Sequence, residues 1–349
     1  MAGGNYIVDP AGLYHKSVTP LFYAEALINS EYGLYEKEGS VDERLLAKEL
    51  ALKLNNIDCI VIGSSRVMQI SSKRNKNTMQ EFCGSILNLG VSSGVIEDHI
   101  TLTYFALSKE QNNLPNKIIL GVDPWIFAFG KEQLWTTYKD DFDIAKLEIL
   151  GNRKNSESIH VNFGVDEVEK KKLLNLINLE YTMRSFEKIV MNFRGGGPVI
   201  LAAPKTDYAL GGAFPIRLVD NSHVHSAMYI SNARSVPIPL GGVTYATEGA
   251  LNQPNAIEAY RKLILWIKSK GVEPILLMAP YHENVLKKST SPNSHAIQVT
   301  EPIVMKLAQE LGVTVIGSYD PKMFGCLRRE FYDFLHPSTD CLEKLRARK

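Results

Sequence analysis

Short apolar runs alternate with amphipathic segments along two stretches of the chain, a pattern typical of strands connected by helices. The apolar runs lie at 57–63, 85–90, 117–123, 273–280 and 313–318. Apolar residues recur at helical spacing at 40–56, 95–111, 254–271 and 300–312. Strands that are apolar throughout are buried on both faces. We therefore expect a mostly parallel α/β sheet with helices on both faces.

The interval 128–253 interrupts this pattern. It contains a strong amphipathic helix at 165–190 and glycine clusters at 195–197, 211–212 and 241–242. An irregular loop of that length is implausible inside a compact domain, so we interpret the interval as a cap inserted over the carboxyl edge of the sheet. The predicted organisation is an N-terminal extension over 1–39, an α/β domain built from 40–127 and 254–349, and a cap over 128–253.

Charge and hydropathy restrict the classes of function. The 349 residues carry a formal net charge of +1, so no overall field recruits nucleic acid or an anionic membrane. No apolar run approaches the roughly 20 residues of a membrane-spanning helix. The opening "MAGGNYIVDP" has neither the charged region nor the apolar region of a signal peptide.

The four cysteines match no metal-binding spacing of the CxxC type. Cys59 lies inside an apolar run and is expected to be an ordinary core residue. Cys83, Cys326 and Cys341 are either free or paired.

Residues suited to nucleophilic catalysis lie at the predicted strand ends and near the end of the chain. The segments are "GSSR" at 63–66, "NLGVSSG" at 88–94, "GVDPW" at 121–125 and "YDFLHPS" at 332–338. Ligands of open α/β sheets bind beyond the carboxyl ends of the strands. A serine nucleophile needs a base, and the base needs a third group that fixes its tautomer. Ser65, His336 and Asp333 can supply these roles, although a turn serine and a core or helix-start histidine are the simpler readings.

Together these segments resemble the sequence blocks of the SGNH hydrolase superfamily, also called GDSL-type esterases. Gly63-Ser64-Ser65 is similar to the Gly-Asp-Ser block, with Ser64 in place of the aspartate. Asn88-Leu89-Gly90 matches the Asn-x-Gly block. Gly121-Val122-Asp123 is similar to the Gly-x-Asn block, with aspartate in place of asparagine. The Asp-x-x-His block is matched by Asp333-Phe334-Leu335-His336.

The resemblance implies a three-layer, flavodoxin-like parallel sheet and a catalytic triad of Ser65, Asp333 and His336. It also implies an oxyanion hole formed by the Ser65 and Gly90 amides and by Asp123. No cofactor and no metal are implied.

Asp123 departs from the family pattern, because an asparagine donates an N–H to the oxyanion whereas an ionised aspartate repels it. Either burial keeps Asp123 neutral or Arg66 absorbs its charge. A purely structural strand-end aspartate is an equal alternative. Arg66 is also a candidate for binding an anionic substrate group, and its alternative is a surface arginine.

Trp125 and His282 are expected to line the substrate groove, although a loop histidine with structural partners is the simpler reading of His282. The "HVH" at 223–225 has a spacing that suits a metal on one strand face. Because no carboxylate or cysteine lies nearby in sequence, we expect no metal there.

The Gly-Ser-Ser variant is similar to the bacterial envelope branch of the superfamily, which includes alginate O-acetylation proteins and the D-alanyl transfer protein of teichoic acids. This similarity implies an O-acetyltransferase or O-acetylesterase that acts on a cell-surface polysaccharide through an acyl-serine. The implied partners are the polysaccharide, an acyl donor and a membrane-bound acyltransferase, with no nucleic acid. The implied location is the periplasm or cell surface, behind an N-terminal membrane anchor. The alternative is a degenerate, non-catalytic glycan-binding module, which Asp123 favours.

Overall fold

The computed structural model describes residues 19–35, 41–53, 55–74, 79–110, 113–130, 132–151, 199–201, 216–225, 234, 252–287 and 293–348. The helix predicted at 165–190 and the three glycine clusters lie outside these residues, as does most of the predicted N-terminal extension.

Nine strands are present in the described residues, in two sheets. They are β1 (Gly33–Tyr35), β2 (Cys59–Ile62), β3 (Ile86–Asn88), β4 (Lys117–Gly121), β5 (Val199–Leu201), β6 (Ile216–Leu218), β7 (His223–Val224), β8 (Glu273–Met278) and β9 (Thr314–Gly317). The α-helices are α1 (Thr19–Ile28), α2 (Glu43–Lys53), α3 (Ile96–Leu107), α4 (Lys139–Leu150), α5 (Pro254–Ser269), α6 (Glu283–Leu286), α7 (Asn293–Leu311) and α8 (Thr339–Leu342).

The main sheet has five parallel strands flanked by helices, as the apolar pattern predicts. Its order is β3-β2-β4-β8-β9, and all four neighbouring pairs are parallel. Numbered along the sheet's own sequence, the order is 2-1-3-4-5, which is the order of flavodoxin-like sheets. The chain reverses its direction of winding at β2, so the crevice beyond the carboxyl ends of β2 and β4 is where such sheets bind ligands.

Alternate side chains of these strands enter two separate cores. Ile60, Ile118 and Leu276 point into the larger core, to which α2, α3, α5 and α7 also contribute. Val61, Ile119 and Leu277 point into a smaller core. The smaller core is completed by residues between β2 and β3 and by residues near the end of the chain, namely Val67, Ile70, Met79, Cys83, Leu342 and Leu345.

Part of the interval that interrupts the apolar pattern belongs to the larger core. Helix α4 packs on α3 and α5, and its Phe142, Ala145 and Ile149 are buried there. The cap itself remains a prediction.

The second sheet is antiparallel, with the order β5-β1-β6-β7, and the sequence did not predict it. The turn between β6 and β7 is bonded to the main sheet through backbone groups. The Asn88 amide donates to Asp220 O at 2.8 Å, and the His223 amide donates to Met68 O at 2.7 Å. These bonds fix β7 beside the carboxyl end of β2.

Two disulfides are present, Cys59–Cys83 and Cys326–Cys341. The expectation that Cys59 is an ordinary core residue is therefore wrong. Cys59 is buried in β2, but its sulfur bridges to the segment that precedes β3. Within the described residues, no helix is both long and apolar enough to cross a membrane.

Helix α3 begins with a buried carboxyl group. Glu97 is fully buried, and its Oε1 accepts the Gly130 amide at 2.6 Å. Its Oε2 has no hydrogen-bond partner among the described residues. Burial raises the pKa of Glu97 from 4.5 to about 8, because desolvation penalises the charged form.

This shift predicts that the free energy of unfolding falls as the pH rises. The stabilisation is fully present below the unfolded pKa of 4.5 and is lost as the pH rises through the folded pKa of about 8. We expect Glu97→Gln to resemble wild type near pH 5. Near pH 9 it should be more stable by a few kcal/mol, since one pKa unit corresponds to roughly 1.4 kcal/mol.

Chemical denaturation across this pH range measures the difference. Glu273→Gln, at the exposed first position of β8, is the matched control and should follow wild type at every pH. If the free energy of unfolding of Glu97→Gln ran parallel to that of wild type across this pH range, the raised pKa of Glu97 would be contradicted.

Candidate active site

Ser65 lies in a tight turn directly after β2. The Val67 amide donates to Ser64 O at 3.1 Å and closes the turn. A Cβ on Gly63 would come within 2.7 Å of Val67 Cγ2 and 3.2 Å of Gly121 Cα, so this close approach of β2 and β4 requires glycine. The turn leaves Ser65 half-buried at the carboxyl edge of the sheet.

The structure brings the three predicted triad residues together. Ser65 Oγ lies 2.8 Å from His336 Nε2, and His336 Nδ1 lies 2.8 Å from Asp333 Oδ2. A carboxylate only accepts hydrogen bonds, so Nδ1 carries the hydrogen and Nε2 accepts from the serine hydroxyl. This tautomer is the one that general-base catalysis by His336 requires.

Asp333 is held in place by its own loop. Its Oδ1 accepts the amides of Leu335 at 2.7 Å and His336 at 2.8 Å. Burial by itself would raise the pKa of Asp333, but the hydrogen bond from the His336 ring and these two amides hold it below its usual value. Asp333 is therefore a carboxylate at neutral pH, as an orienting group needs to be.

Arg66 and Asp123 form a buried ion pair. Arg66 Nη1 donates to Asp123 Oδ1 at 2.6 Å, and the two side chains are 1% and 4% exposed. Of the alternatives drawn from the sequence, this geometry matches the one in which Arg66 absorbs the charge of Asp123. It does not match direct contact of Arg66 with a substrate, because the guanidinium has almost no exposed surface.

The same guanidinium contacts other strand-end loops. Its Nε donates to Leu335 O at 3.0 Å, and its Nη2 donates to Pro280 O at 2.8 Å and also to Ala279 O. Its Cζ lies 3.5 Å from the centre of the Tyr281 ring. Arg66 therefore joins the loops that follow β4 and β8 to the loop that carries His336.

Two of the three predicted oxyanion groups have other partners in this structure. The Gly90 amide donates to Asn88 Oδ1 at 2.9 Å. The Asp123 carboxylate accepts from Arg66 and has no hydrogen to donate, which is contrary to its predicted oxyanion role. The Ser65 amide has no acceptor within the described part of the chain, and it belongs to the predicted nucleophile itself.

Trp125 and His282 lie at the same edge and have structural partners. Trp125 is half-buried, and its Nε1 donates to Gly94 O at 2.8 Å. His282 is buried and precedes α6, where its Nδ1 accepts the Asn284 amide at 3.2 Å. His282 thus acts as a helix cap, and the exposed fraction of its side chain offers little surface to a substrate.

The second sheet brings a histidine to the triad that the sequence did not associate with it. His225 follows β7, and its ring centre lies 5.4 Å from that of Tyr332. Burial, together with the positive charge of Arg74, lowers the pKa of His225 to about 4, so the ring is neutral at pH 7. The "HVH" pattern singled out this segment, but as a metal candidate. Around it, the described residues contain no group of three or more His, Cys, Asp or Glu able to hold a metal.

Two arginines also lie on this flank of the site. Arg74 donates to His223 O, and Arg234 Nη2 donates to Arg329 O at 2.7 Å. Burial raises the pKa of Tyr332, which neighbours Asp333 in the chain, and the positive charges of both arginines oppose that rise. No sequence motif indicated either arginine.

Comparison of the sequence with protein-family models and with curated proteins gives no match.

The buried pair makes a double-mutant prediction. Removing either partner leaves the other charge buried and uncompensated, at a cost of about 3–5 kcal/mol. We expect Arg66→Met and Asp123→Asn each to lower the free energy of unfolding by that order. The double variant should lose clearly less than the sum of the two, because it buries no unpaired charge.

Urea denaturation of the four proteins measures the coupling. The matched control pair is Arg261→Met and Glu310→Gln, whose ion pair is largely exposed. It should show coupling below about 1 kcal/mol. Additive losses at Arg66 and Asp123 would show that the pair is not the interaction we describe.

Proposed function

We propose that this chain performs serine-dependent acyl-ester chemistry through an acyl-enzyme on Ser65. The observation that carries the proposal is the continuous hydrogen-bond chain from Ser65 Oγ through His336 to Asp333, with both links at 2.8 Å. It lies at the carboxyl edge of the parallel sheet, where α/β proteins bind ligands. The arrangement has the nucleophile, base and orienting carboxylate of a hydrolase triad.

The proposed reaction has two halves. Ser65 Oγ attacks the ester carbonyl carbon while His336 Nε2 takes the serine proton, and Asp333 stabilises the resulting imidazolium. Collapse of the tetrahedral intermediate transfers that proton to the departing alkoxide and leaves the acyl group on Ser65. A water or a sugar hydroxyl then attacks the acyl carbon and gives its proton to His336. The proton returns to Ser65 Oγ as the new acid or ester departs.

The Ser65 amide is the group we propose as the first oxyanion donor. It belongs to the proposed nucleophile itself, in the turn after β2, so it moves with the serine hydroxyl and is aimed by the same turn. The Gly90 amide becomes a second donor if Asn88 Oδ1 releases it when substrate binds. One such donor is worth about 10²–10³ in rate.

The substrate we propose is an O-acyl group on a bacterial cell-surface polysaccharide. We also propose that the chain belongs to the envelope branch of the SGNH superfamily. The support is the resemblance of the four sequence blocks together with the two disulfides. Disulfides persist in oxidising compartments such as the periplasm and the cell surface, and this is the location we propose. An acyl donor and a membrane-bound acyltransferase are the partners that this branch implies.

A second candidate function is a glycan-binding module without turnover. The specific observation in its favour is that the Gly90 amide and the Asp123 carboxylate are both engaged within the protein. Under this alternative the triad geometry is a remnant of an ancestral enzyme. Turnover of p-nitrophenyl acetate separates the two candidates.

The first functional prediction compares the two neighbouring serines. Ser65→Ala should keep its fold and lose turnover of p-nitrophenyl acetate by a factor on the order of 10⁴–10⁶, because within the described residues the side-chain hydroxyl hydrogen-bonded to His336 is that of Ser65.

Ser64→Ala is the matched control, because Ser64 is buried and its Oγ accepts the Arg66 amide at 3.3 Å. It should retain most of the turnover. Unchanged turnover in Ser65→Ala, or loss in Ser64→Ala alone, would refute the choice of nucleophile.

The second functional prediction concerns the fate of the acyl group. We expect an activated acyl ester supplied with candidate oligosaccharides to give an acylated sugar, detected by mass spectrometry, because a cap that excludes water favours transfer over hydrolysis. Ser65→Ala, incubated with the same mixture, is the control for uncatalysed transfer. Release of free acid alone with every acceptor would instead identify an esterase.

A further inference from the structure

The two triad residues that activate the nucleophile lie on a loop closed by a disulfide. Cys326 and Cys341 are 15 positions apart and are bonded to each other. Asp333 and His336 lie between them in the chain. The third triad member, Ser65, lies outside this loop and follows β2.

The part of this loop that contains the two triad residues, 330–338, is called its crest here, and it is held by its own hydrogen bonds. The Tyr332 amide donates to His336 O at 3.0 Å, and the Ser338 amide donates to Glu330 O at 2.7 Å. A β-bridge joins Phe331 and Pro337. These bonds join loop residues to one another and preserve the shape of the crest. Its position against Ser65 also depends on Leu335 O, which accepts from Arg66 Nε at 3.0 Å, and on the Tyr332 hydroxyl, which donates to Gln69 Oε1 at 2.6 Å.

The segment directly after Cys326, residues 327–329, has little burial of its own. Residues 327–329 are exposed, with Leu327 44% exposed, whereas the following residues 330–332, nearer the triad, are buried. The C-terminal end of the loop is anchored, since Cys341 is fully buried and Leu342 belongs to the smaller core. The disulfide therefore links the exposed segment 327–329 to the buried end of the loop. The Lys344–Glu330 ion pair at 2.7 Å makes a second link, between the residue directly after this segment and a residue beyond Cys341.

We propose that Cys326–Cys341 is a positioning element of the active site, which holds the loop where His336 reaches Ser65. The rate of acylation then depends on the oxidation state of this bridge. The inference rests on the proposed function for its kinetic consequence, whereas its structural consequence can be measured without turnover.

The two disulfides differ in access to a reductant. Cys326 is half-buried, whereas Cys59 and Cys83 are 0% and 2% exposed. A dithiol reductant attacks the Cys326 sulfur as a thiolate, and Cys341 leaves as a thiolate that takes up a proton. The second thiol of the reductant then displaces Cys326. The products are two protein thiols and the cyclic disulfide of the reductant.

The test compares Cys326→Ser/Cys341→Ser with the matched control Cys59→Ser/Cys83→Ser. In the first variant, kcat for p-nitrophenyl acetate should fall about 10- to 100-fold, the effect of a displacement near 1 Å at a catalytic group. Its KM should change by less than about threefold, because substrate contacts remain. The control should keep its kcat at temperatures where it is folded. An equal fall in the control, or an unchanged kcat in the first variant, would overturn the proposal.

A second readout is the NMR chemical shift of the His336 Nδ1 proton, which lies in the hydrogen bond to Asp333. The difference in this shift between wild type and Ser65→Ala reports the contact of His336 with Ser65. Opening the bridge should remove the Ser65-dependent part of that shift. If wild type shows the Ser65-dependent shift but no turnover, the proposed function fails. The same shift measured in Cys326→Ser/Cys341→Ser then still decides whether the disulfide positions His336. A Ser65-dependent shift that survives in the variant would overturn it.

If the double variant does not fold, native protein treated with dithiothreitol replaces it. Thiol titration should give two free thiols, circular dichroism should be unchanged, and turnover should fall and return on reoxidation. Full turnover with two thiols titrated and mapped to Cys326 and Cys341 would overturn the proposal.

Discussion

The buried guanidinium of Arg66 is the interaction on which the arrangement of the active site depends. It is bonded to Asp123 after β4, to Ala279 and Pro280 after β8, and to Leu335 beside His336. A parallel sheet brings the carboxyl ends of its strands to one edge, but it does not fix the loops that follow them. Arg66 does so from the position next to Ser65. One side chain thus relates the position of Ser65 to that of His336.

This constraint explains why aspartate stands where the resemblance leads one to expect asparagine. A buried arginine without a counter-ion is costly, and Asp123 is its counter-ion at 2.6 Å. An asparagine there would offer an oxyanion donor but would leave Arg66 uncompensated. The arginine after Ser65 and the aspartate after β4 therefore form one unit. Under the proposed function, oxyanion stabilisation would fall to backbone amides such as that of Ser65.

The main sheet and the triad could be predicted from sequence for definite physical reasons. Buried parallel strands are apolar throughout, so the runs around Ile60 and Ile119 stand out from amphipathic helices. The triad residues follow from the chemistry that a serine nucleophile needs, and Asp333 and His336 are only three positions apart.

The rest depends on contacts between residues distant in the chain. The strands of the second sheet have two or three residues, which is too short for a periodic signal, and β1 pairs with residues far along the chain, at 199–201 and 216–218. The position of His225 beside the triad follows from that pairing. The burial of Arg66 has no local signature, because its partners come from three other loops. The same holds for the Cys59–Cys83 bridge, since an apolar run hides a bridging cysteine as well as a free one.

Covalent labelling tests most directly whether Arg66 and its loops assemble a working nucleophile. A small fluorophosphonate reacts with an activated serine, whose oxygen bonds to phosphorus as fluoride departs, and needs no knowledge of the natural substrate. We predict one adduct per chain by intact-mass spectrometry, mapped by peptide fragmentation to Ser65 and absent from His336→Ala. A folded wild-type protein that remains unlabelled, or that carries its adduct on Ser64 or another residue, would contradict the triad described here.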